Sequence, residues 1–237
     1  MKDRNHAARP YLSVIIPTLN EAAHIDAVLA GVLKGEGLEV IVSDGGSHDG
    51  TLERAADCGA RTCRAPIGRA RQMNVGAAAA RGTLYLFLHA DSRLPVGFDR
   101  VIRRVLSDSG VAAGAFSLGI DAEARSMRMV AWGANLRSRI FGLPYGDQGI
   151  FLRASRFHRC GGFPDLPIME DFVLMRRLRK TGAIVTAPDR ILTSPRRWRR
   201  QGVLRTTLVN QAIILAYLSG VPAHRLRRWY RRPRSFL

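Results

Sequence analysis

The chain contains no run of 18 apolar residues, so no ordinary membrane-spanning helix is expected. Its opening residues, Met1-Lys2-Asp3-Arg4-Asn5-His6, are polar with no apolar stretch after them, and no secretory signal is expected either. Cysteine is scarce: Cys58, Cys63 and Cys160 are odd in number and match neither zinc nor disulfide spacing. They read as buried or idle thiols of a reducing compartment. Internal repeats and low-complexity linkers are absent. So are three signatures of common α/β enzymes: G-x-G-x-x-G, G-x-x-x-x-G-K-[ST] and G-x-S-x-G. Hydride transfer, P-loop nucleotide hydrolysis and α/β-hydrolase chemistry lose ground accordingly. Acid is also short. Against 37 Lys+Arg stand 19 Asp+Glu, a formal charge of +18. Arg190 to Leu237 hold 12 Arg and no acid, which leaves +6 on the residues before them. A basic end implies an anionic surface, lipid or nucleic acid.

What is present suits a globular α/β domain: 237 residues, 46% of them apolar. The organising stretch is Thr83 to Arg93. Thr83 to Leu88 form a short apolar and β-branched run, as in a strand buried on both faces, and it stops at His89-Ala90-Asp91. Ligands of open α/β sheets sit outside the carboxyl ends of the strands. A carboxylate delivered there can hold a hard cation, or it can simply cap a turn with Ser92 and Pro95.

Along the chain, Leu12–Pro17 reads as a first strand. Asn20 then reads as the N-cap of a helix bearing Ile25, Val28, Leu29, Val32 and Leu33. Glu39–Ser43 is a second strand. The loop Asp44-Gly45-Gly46-Ser47-His48-Asp49-Gly50-Thr51 leads into a helix near Leu52–Cys58. Thr62–Arg64 is a short strand and Arg69–Ala80 a helix feeding Thr83–Leu88. This alternation predicts right-handed βαβ units and a parallel sheet. Further on come a helix through Phe98–Leu106, a strand Ala112–Ile120, a helix Arg125–Phe141 and a strand Gly149–Arg153. After the turn-dense loop Gly161–Asp165 follow a helix Glu170–Lys180 and a last strand Ala183–Ala187.

Four segments together, Ser13–Glu21, Val42–Thr51, Phe87–Asp91 and Glu170-Asp171, resemble family 2 glycosyltransferases of the GT-A fold, over roughly Leu12 to Arg200. Small bacterial members are most similar, among them proteins connected with arsenosugar biosynthesis or glycosylation of carotenoid acids. The resemblance implies a mostly parallel sheet flanked by helices, with a nucleotide-binding half over 12–91 and an acceptor half over 92–200. Before it would lie a polar extension, 1–11, and after it a basic helical tail, 201–237. It also implies metal-dependent, inverting transfer from a nucleotide sugar, UDP-linked by preference.

Residue by residue, Pro17, Asn20 and Glu21 would shape the nucleoside pocket. Asp44 would accept a hydrogen bond from a base N–H; otherwise it satisfies local turn amides. Arg71 and Asn74 would face the ribose or phosphates, and His89 would contact the ribose or a phosphate or join the metal shell. His89-Ala90-Asp91 corresponds to the family's D-x-D element with His in the first place. Asp91 would hold Mg²⁺ or Mn²⁺ against the diphosphate, but imidazole cannot supply the charge of the missing Asp. Asp171 would be the base that takes the acceptor proton, with Glu170 supporting it; alternatively both only favour a helix N-terminus. Asp147, Gln148, Gly161 and Gly162 would form acceptor-side loops. Arg197 and Trp198 would lie against the diphosphate.

Two rivals remain. A nucleotidyltransferase of related sheet would carry a basic glycine-rich loop where this chain has Pro17-Thr18-Leu19-Asn20-Glu21. A nucleic-acid-binding module would explain the arginines but leave Glu21, Asp44, Asp91 and Asp171 facing a polyanion. The apolar stretch Leu208–Val221 lies between Arg-rich flanks, Arg196–Arg200 and Arg225–Arg232. It predicts a helix on an anionic membrane surface at the cytoplasmic face, serving a lipid-like acceptor, or else a helix packed on the domain or a dimer partner.

Overall fold

The computed structural model describes residues 10–122 and 124–231, apart from the side chains of Arg197, Arg200 and Arg231. Most of the expected extension over 1–11, and the last of the basic tail, lie outside the described residues. The strands are β1 (Leu12–Thr18), β2 (Leu38–Asp44), β3 (Arg61–Arg64), β4 (Leu84–Phe87), β5 (Ser92–Arg93), β6 (Val111–Ile120), β7 (Ile150–Arg153) and β8 (Ala183–Thr193). They make one sheet in the order β3-β2-β1-β4-β7-β6-β8-β5. The neighbours β3, β2, β1 and β4 run parallel, as do β6 and β8, while β7 and β5 run against their neighbours. The result is the curled, mostly parallel GT-A sheet.

Period-2 alternation assigns the two faces. Leu12, Val14, Ile16, Leu86 and Leu88 enter one core with α1 (Ile25–Val32) and α4 (Phe98–Ser107). Ile15, Tyr85 and Phe87 enter the other with α3 (Arg69–Ala79) and α7 (Glu170–Arg179). Burial of each such side chain stabilises by roughly 1.5–3 kcal/mol. α3 lies close on β1 because a Cβ on Gly76 would come 2.5 Å from Ile15 Cγ2. The other helices are α2 (Thr51–Asp57), α5 (Arg125–Phe141), α6 (Ala154–Arg159), α8 (Arg196–Gln201), α9 (Val203–Leu218) and α10 (Ala223–Arg231).

Three differences from expectation have local causes. Asn20 does not cap α1, which begins at Ile25; it sits in the left-handed region at φ 56°, which Asn tolerates. β8 continues past Ala187 to Thr193, because the register jumps from Phe116↔Ala187 to Ser117↔Arg190. Pro188 and Asp189 bulge out there, where a proline cannot donate to the ladder. The tail helix starts at Val203 rather than Leu208, and one side of it is buried. Val209, Ile213, Tyr217 and Leu226 pack with Met169 and Phe172 at the start of α7.

Candidate active site

The cleft opens where β1 and β4 part. Leu88 N–H donates to Ile15 C=O, so odd-numbered residues of β1 face β4. Pro17 has no N–H to extend that ladder, and the pairing ends at Ile15↔Phe87. Beyond it, Asn20 ties the loop after β1 to the loop after β2: its N–H donates to Ser47 Oγ and its Oδ1 accepts from His48 N–H. Asp44 is fully buried. Its carboxylate accepts from Thr18 Oγ, Gly46 N–H, Ser47 N–H and Ser47 Oγ. Burial pushes this carboxyl up, but the bonds from Ser47, Gly46 and Thr18 prevail and hold it below the ordinary Asp value. Those four bonds fill a carboxylate's acceptor sites, so a base contact requires the exchange of one of them.

At the end of β4, Asp91 and Glu21 share one cation. Arg196 Nη2 lies 3.1 Å from Asp91 Oδ2 and 3.4 Å from Glu21 Oε2. Arg196 is the basic residue at this place that sequence reasoning missed. Its neighbour Arg197 has a side chain outside the described residues. Trp198 is buried against Leu118, Ile120 and Met127, so its ring belongs to an apolar cluster under α5.

A second group gathers around Gly146. Asp171 Oδ2 accepts from Gly146 N–H at 2.8 Å, and its Oδ1 from Phe172 N–H at 2.7 Å. A Cβ on Gly146 would lie 2.8 Å from His89 Nε2 and 3.4 Å from Asp171 Oδ2, so glycine lets both side chains close on one spot. A small cavity here is lined by Arg69, Phe87, His89, Gly146, Phe163 and Asp171. His89 thus faces the Asp171 side rather than the Asp91 carboxylate. Burial, and then the Arg69 guanidinium, hold its imidazole well below the ordinary value. Burial pushes Asp147 up to about 6, opposed by Arg137 and reinforced by Asp171. Buried Glu170 is also raised, by desolvation first and Asp171 next, against Arg69 at 3.7 Å. His89 Nε2 and Asp147 Oδ1 are buried without a hydrogen-bond partner among the described residues. Met169, just before Glu170, is left-handed at φ 73°. That conformation costs a non-glycine residue about 1–2 kcal/mol, and the packing of its side chain with Ile213 and Leu226 offsets it.

Other expected site residues lie elsewhere. Arg71 forms a two-bond pair with Asp165, and Asn74 bonds both the N–H and C=O of Phe163. They pin the loop through Gly161 and Gly162, both left-handed, onto α3. Gln148 is completely buried, its amide bonded to Phe116 C=O, Tyr145 N–H and Arg137. The structure therefore brings together Glu21, Asp91 and Arg196, and beside them His89, Asp147, Glu170 and Asp171 with Arg69. The side chains of Arg71, Asn74, Gln148 and Trp198 are engaged with Asp165, Phe163, Phe116 and the apolar cluster under α5.

Among the described residues, no three His, Cys, Asp or Glu side chains stand in metal-ligating geometry. A hard divalent cation still fits the chemistry. Mg²⁺-type sites use one or two carboxylates and take their other ligands from substrate phosphates and water. In a chain of charge +18, Asp91 and Glu21 converge on one cation already.

The sequence profile described as glycosyl transferase family 2 matches residues 13–158, more than half of the chain. It ends before the Glu170-Asp171 pair. An uncharacterised Mycobacterium tuberculosis protein, MT1568, is 35% identical over 112 residues, 44% of this chain and 35% of that one. The mannosyltransferase PcManGT from Pyrobaculum calidifontis, solved with GDP-Man and Mn²⁺, matches at TM-score 0.63 and 22% identity, over 87% of this chain and 65% of its own. Residues 1–349 of S. aureus TarS, solved with UDP, match at TM-score 0.63 and 19% identity, over 78% and 60%. The chain thus spans about a third of the curated relative and under two thirds of these structures.

Proposed function

The chain belongs to glycosyl transferase family 2, and from that premise we propose that it transfers a sugar from a nucleoside diphosphate sugar to a hydroxyl acceptor, with inversion at the anomeric carbon. The observation that supports this reading is a pair of carboxylates, Asp91 and Asp171, both close enough to Asp147 for their charges to act on it. Asp91 lies in the turn between β4 and β5, and Asp171, anchored by Gly146, lies in the first turn of α7. UDP is the preferred donor nucleotide, and the similar structures that hold GDP-Man or UDP support the donor class.

Asp91 would hold Mn²⁺ or Mg²⁺, with Glu21 alongside; the ion, when bound, neutralises charge growing on the departing diphosphate. Arg196 now spans these two carboxylates, and a diphosphate entering the cleft offers its guanidinium a stronger anionic partner. On the other side, Asp171 takes the proton of the acceptor hydroxyl. The acceptor oxygen bonds to the anomeric carbon as the bond to the diphosphate oxygen breaks, and the electron pair leaves with the nucleoside diphosphate. Two backbone N–H groups fix the Asp171 carboxylate, so it reorganises little during transfer. Neutral His89 and the Arg69 guanidinium line the same cavity and orient the acceptor. Glu170, buried beside Arg69, holds that guanidinium in place. We assign the acceptor to a lipid-borne or otherwise apolar class, on the strength of the acid-free, arginine-rich last 48 residues.

Ligands that bind the native state raise its melting temperature. A thermal-shift screen of nucleoside diphosphates and nucleotide sugars with Mn²⁺ tests the donor assignment. Metal-dependent stabilisation by UDP or GDP compounds supports it. A screen in which none shifts the transition, with or without metal, overturns it.

A further inference from the structure

Two helices that lie side by side each turn an apolar stripe to solvent. On α5, Met129, Trp132, Leu136 and Ile140 recur at i, i+3, i+7 and i+11, one face of a helix. On α9, Leu204, Leu208, Leu215 and Leu218 recur at i, i+4, i+11 and i+14. All eight side chains belong to residues between 41% and 74% exposed. The opposite faces are used: Met127, Val130 and Ala134 of α5 pack on Leu118 and Ile120, while Val209 and Ile213 of α9 pack on Phe172.

The helices run in the same direction. Val203, at the start of α9, joins the cluster around Met127 at the start of α5. Val209 and Ile213 join the cluster of Leu143 and Tyr145, just beyond the end of α5. Two parallel apolar stripes are more than the scattered exposed residues of an ordinary surface.

Charge identifies what covers them. Arg125 heads the α5 stripe and Arg128 borders it, both exposed. Exposed Arg199, Arg225 and Arg228 lie on α8 and α10, with the exposed indole of Trp229. Neither α5 nor any residue from Arg190 onward carries an acid. A second copy docking through the same face would set arginine borders against arginine borders. An anionic bilayer offers phosphates to the guanidiniums, apolar depth to the stripes and headgroup depth to the Trp rings.

We propose that the paired stripes of α5 and α9, with their arginine borders, form one docking face for an anionic lipid bilayer. The tail acts here as half of a two-helix surface: its buried side fixes it to the domain, and its outer side continues the α5 stripe.

The test is sedimentation of the full chain with vesicles of phosphatidylcholine alone or mixed equally with phosphatidylglycerol, at low salt. Binding is read without donor or metal, so it stands or falls apart from the transfer reaction. The full chain should sediment with the mixed vesicles at least tenfold better than with phosphatidylcholine, and Trp fluorescence should shift to the blue. The double variant Trp132→Glu/Leu208→Glu should lose binding at least tenfold while its circular dichroism stays unchanged. The single variant Trp132→Phe, which keeps an apolar ring, should retain it. No binding to mixed vesicles overturns the proposal, and so does binding that the double variant retains. A stable dimer that Trp132→Glu separates overturns it too, since a second copy would then cover the face.

Discussion

Arg196 Nη2 stands 3.1 Å from Asp91 Oδ2, although 105 residues separate the two in the chain. The segment after β8 therefore reaches back across the cleft to the carboxylate at the end of β4, and a cation occupies that place before any metal or donor arrives. On the proposed reading the Asp91 charge is used twice, by Arg196 at rest and by a divalent ion with the donor.

Asp91→Asn keeps the shape of the side chain and removes its charge. Both members of the Arg196 pair are partly exposed, and such pairs contribute about 0–1 kcal/mol. The fold should therefore survive, with a melting temperature within a few degrees of the parent. Mn²⁺-dependent tightening of nucleoside diphosphate binding, followed by calorimetry, should be lost. A variant whose nucleotide affinity still responds to Mn²⁺ as the parent's does removes Asp91 from the metal assignment.

Asp147 gives a pH signature. Its carboxyl is raised from 3.8 to about 6 by burial. The unfolded chain releases that proton first, so the native state loses stability as pH rises between those two values. Above about pH 6 the full cost is present, up to roughly 3 kcal/mol for two pKa units. Asp147→Asn should therefore stabilise the protein at pH 8 in chelator, with the gain shrinking toward zero at pH 4. Urea unfolding at the two pH values checks this. An equal effect at both, or destabilisation at pH 8, places Asp147 in an environment that accepts its charge.

Leu226, completely buried in the cluster with Met169 and Phe172, ties α10 to the start of α7. Leu226→Ala should cost about 2–5 kcal/mol. It should also lower transfer, because the left-handed Met169 that sets Glu170 and Asp171 loses packing. Activity assayed well below the melting temperature of the variant separates the two effects. Full activity there would show that the tail holds the fold without positioning the pair.

The sheet and the ends of its strands were legible in the sequence because buried strands of a parallel sheet are short apolar runs, and the residues that stop them stand next to them. The ends of β1 beside Pro17 and of β2 at Asp44 were legible that way. Side-chain partners were not, because spacing places a residue on an element without naming its partner on another. Nothing in the sequence signals that Arg71 pairs with Asp165, 94 residues away. Asn74 is likewise spent on Phe163, 89 residues away. In Arg196-Arg197-Trp198 the composition singled out the turn of chain but not which residue reaches Asp91. The packing of Trp198 under α5 decides which way that turn faces, and Arg196 reaches the cleft. Arg69 gave no signal beyond being one arginine among many. The bulge at Pro188-Asp189 hid the second half of β8 for a similar reason, since a proline ends a strand pattern even where the ladder resumes.

Release of nucleoside diphosphate from a panel of nucleotide sugars, with Mn²⁺ and full-length protein, tests the central claim most directly when parent and Asp171→Asn are compared. The account predicts that the parent turns over at least one nucleotide sugar. Asp171→Asn should fall by about 10²–10⁴ in rate, the span of a lost general base, with donor affinity nearly unchanged. An Asp171→Asn variant that releases nucleoside diphosphate at the parent's rate, or loses donor affinity in step with rate, would contradict it.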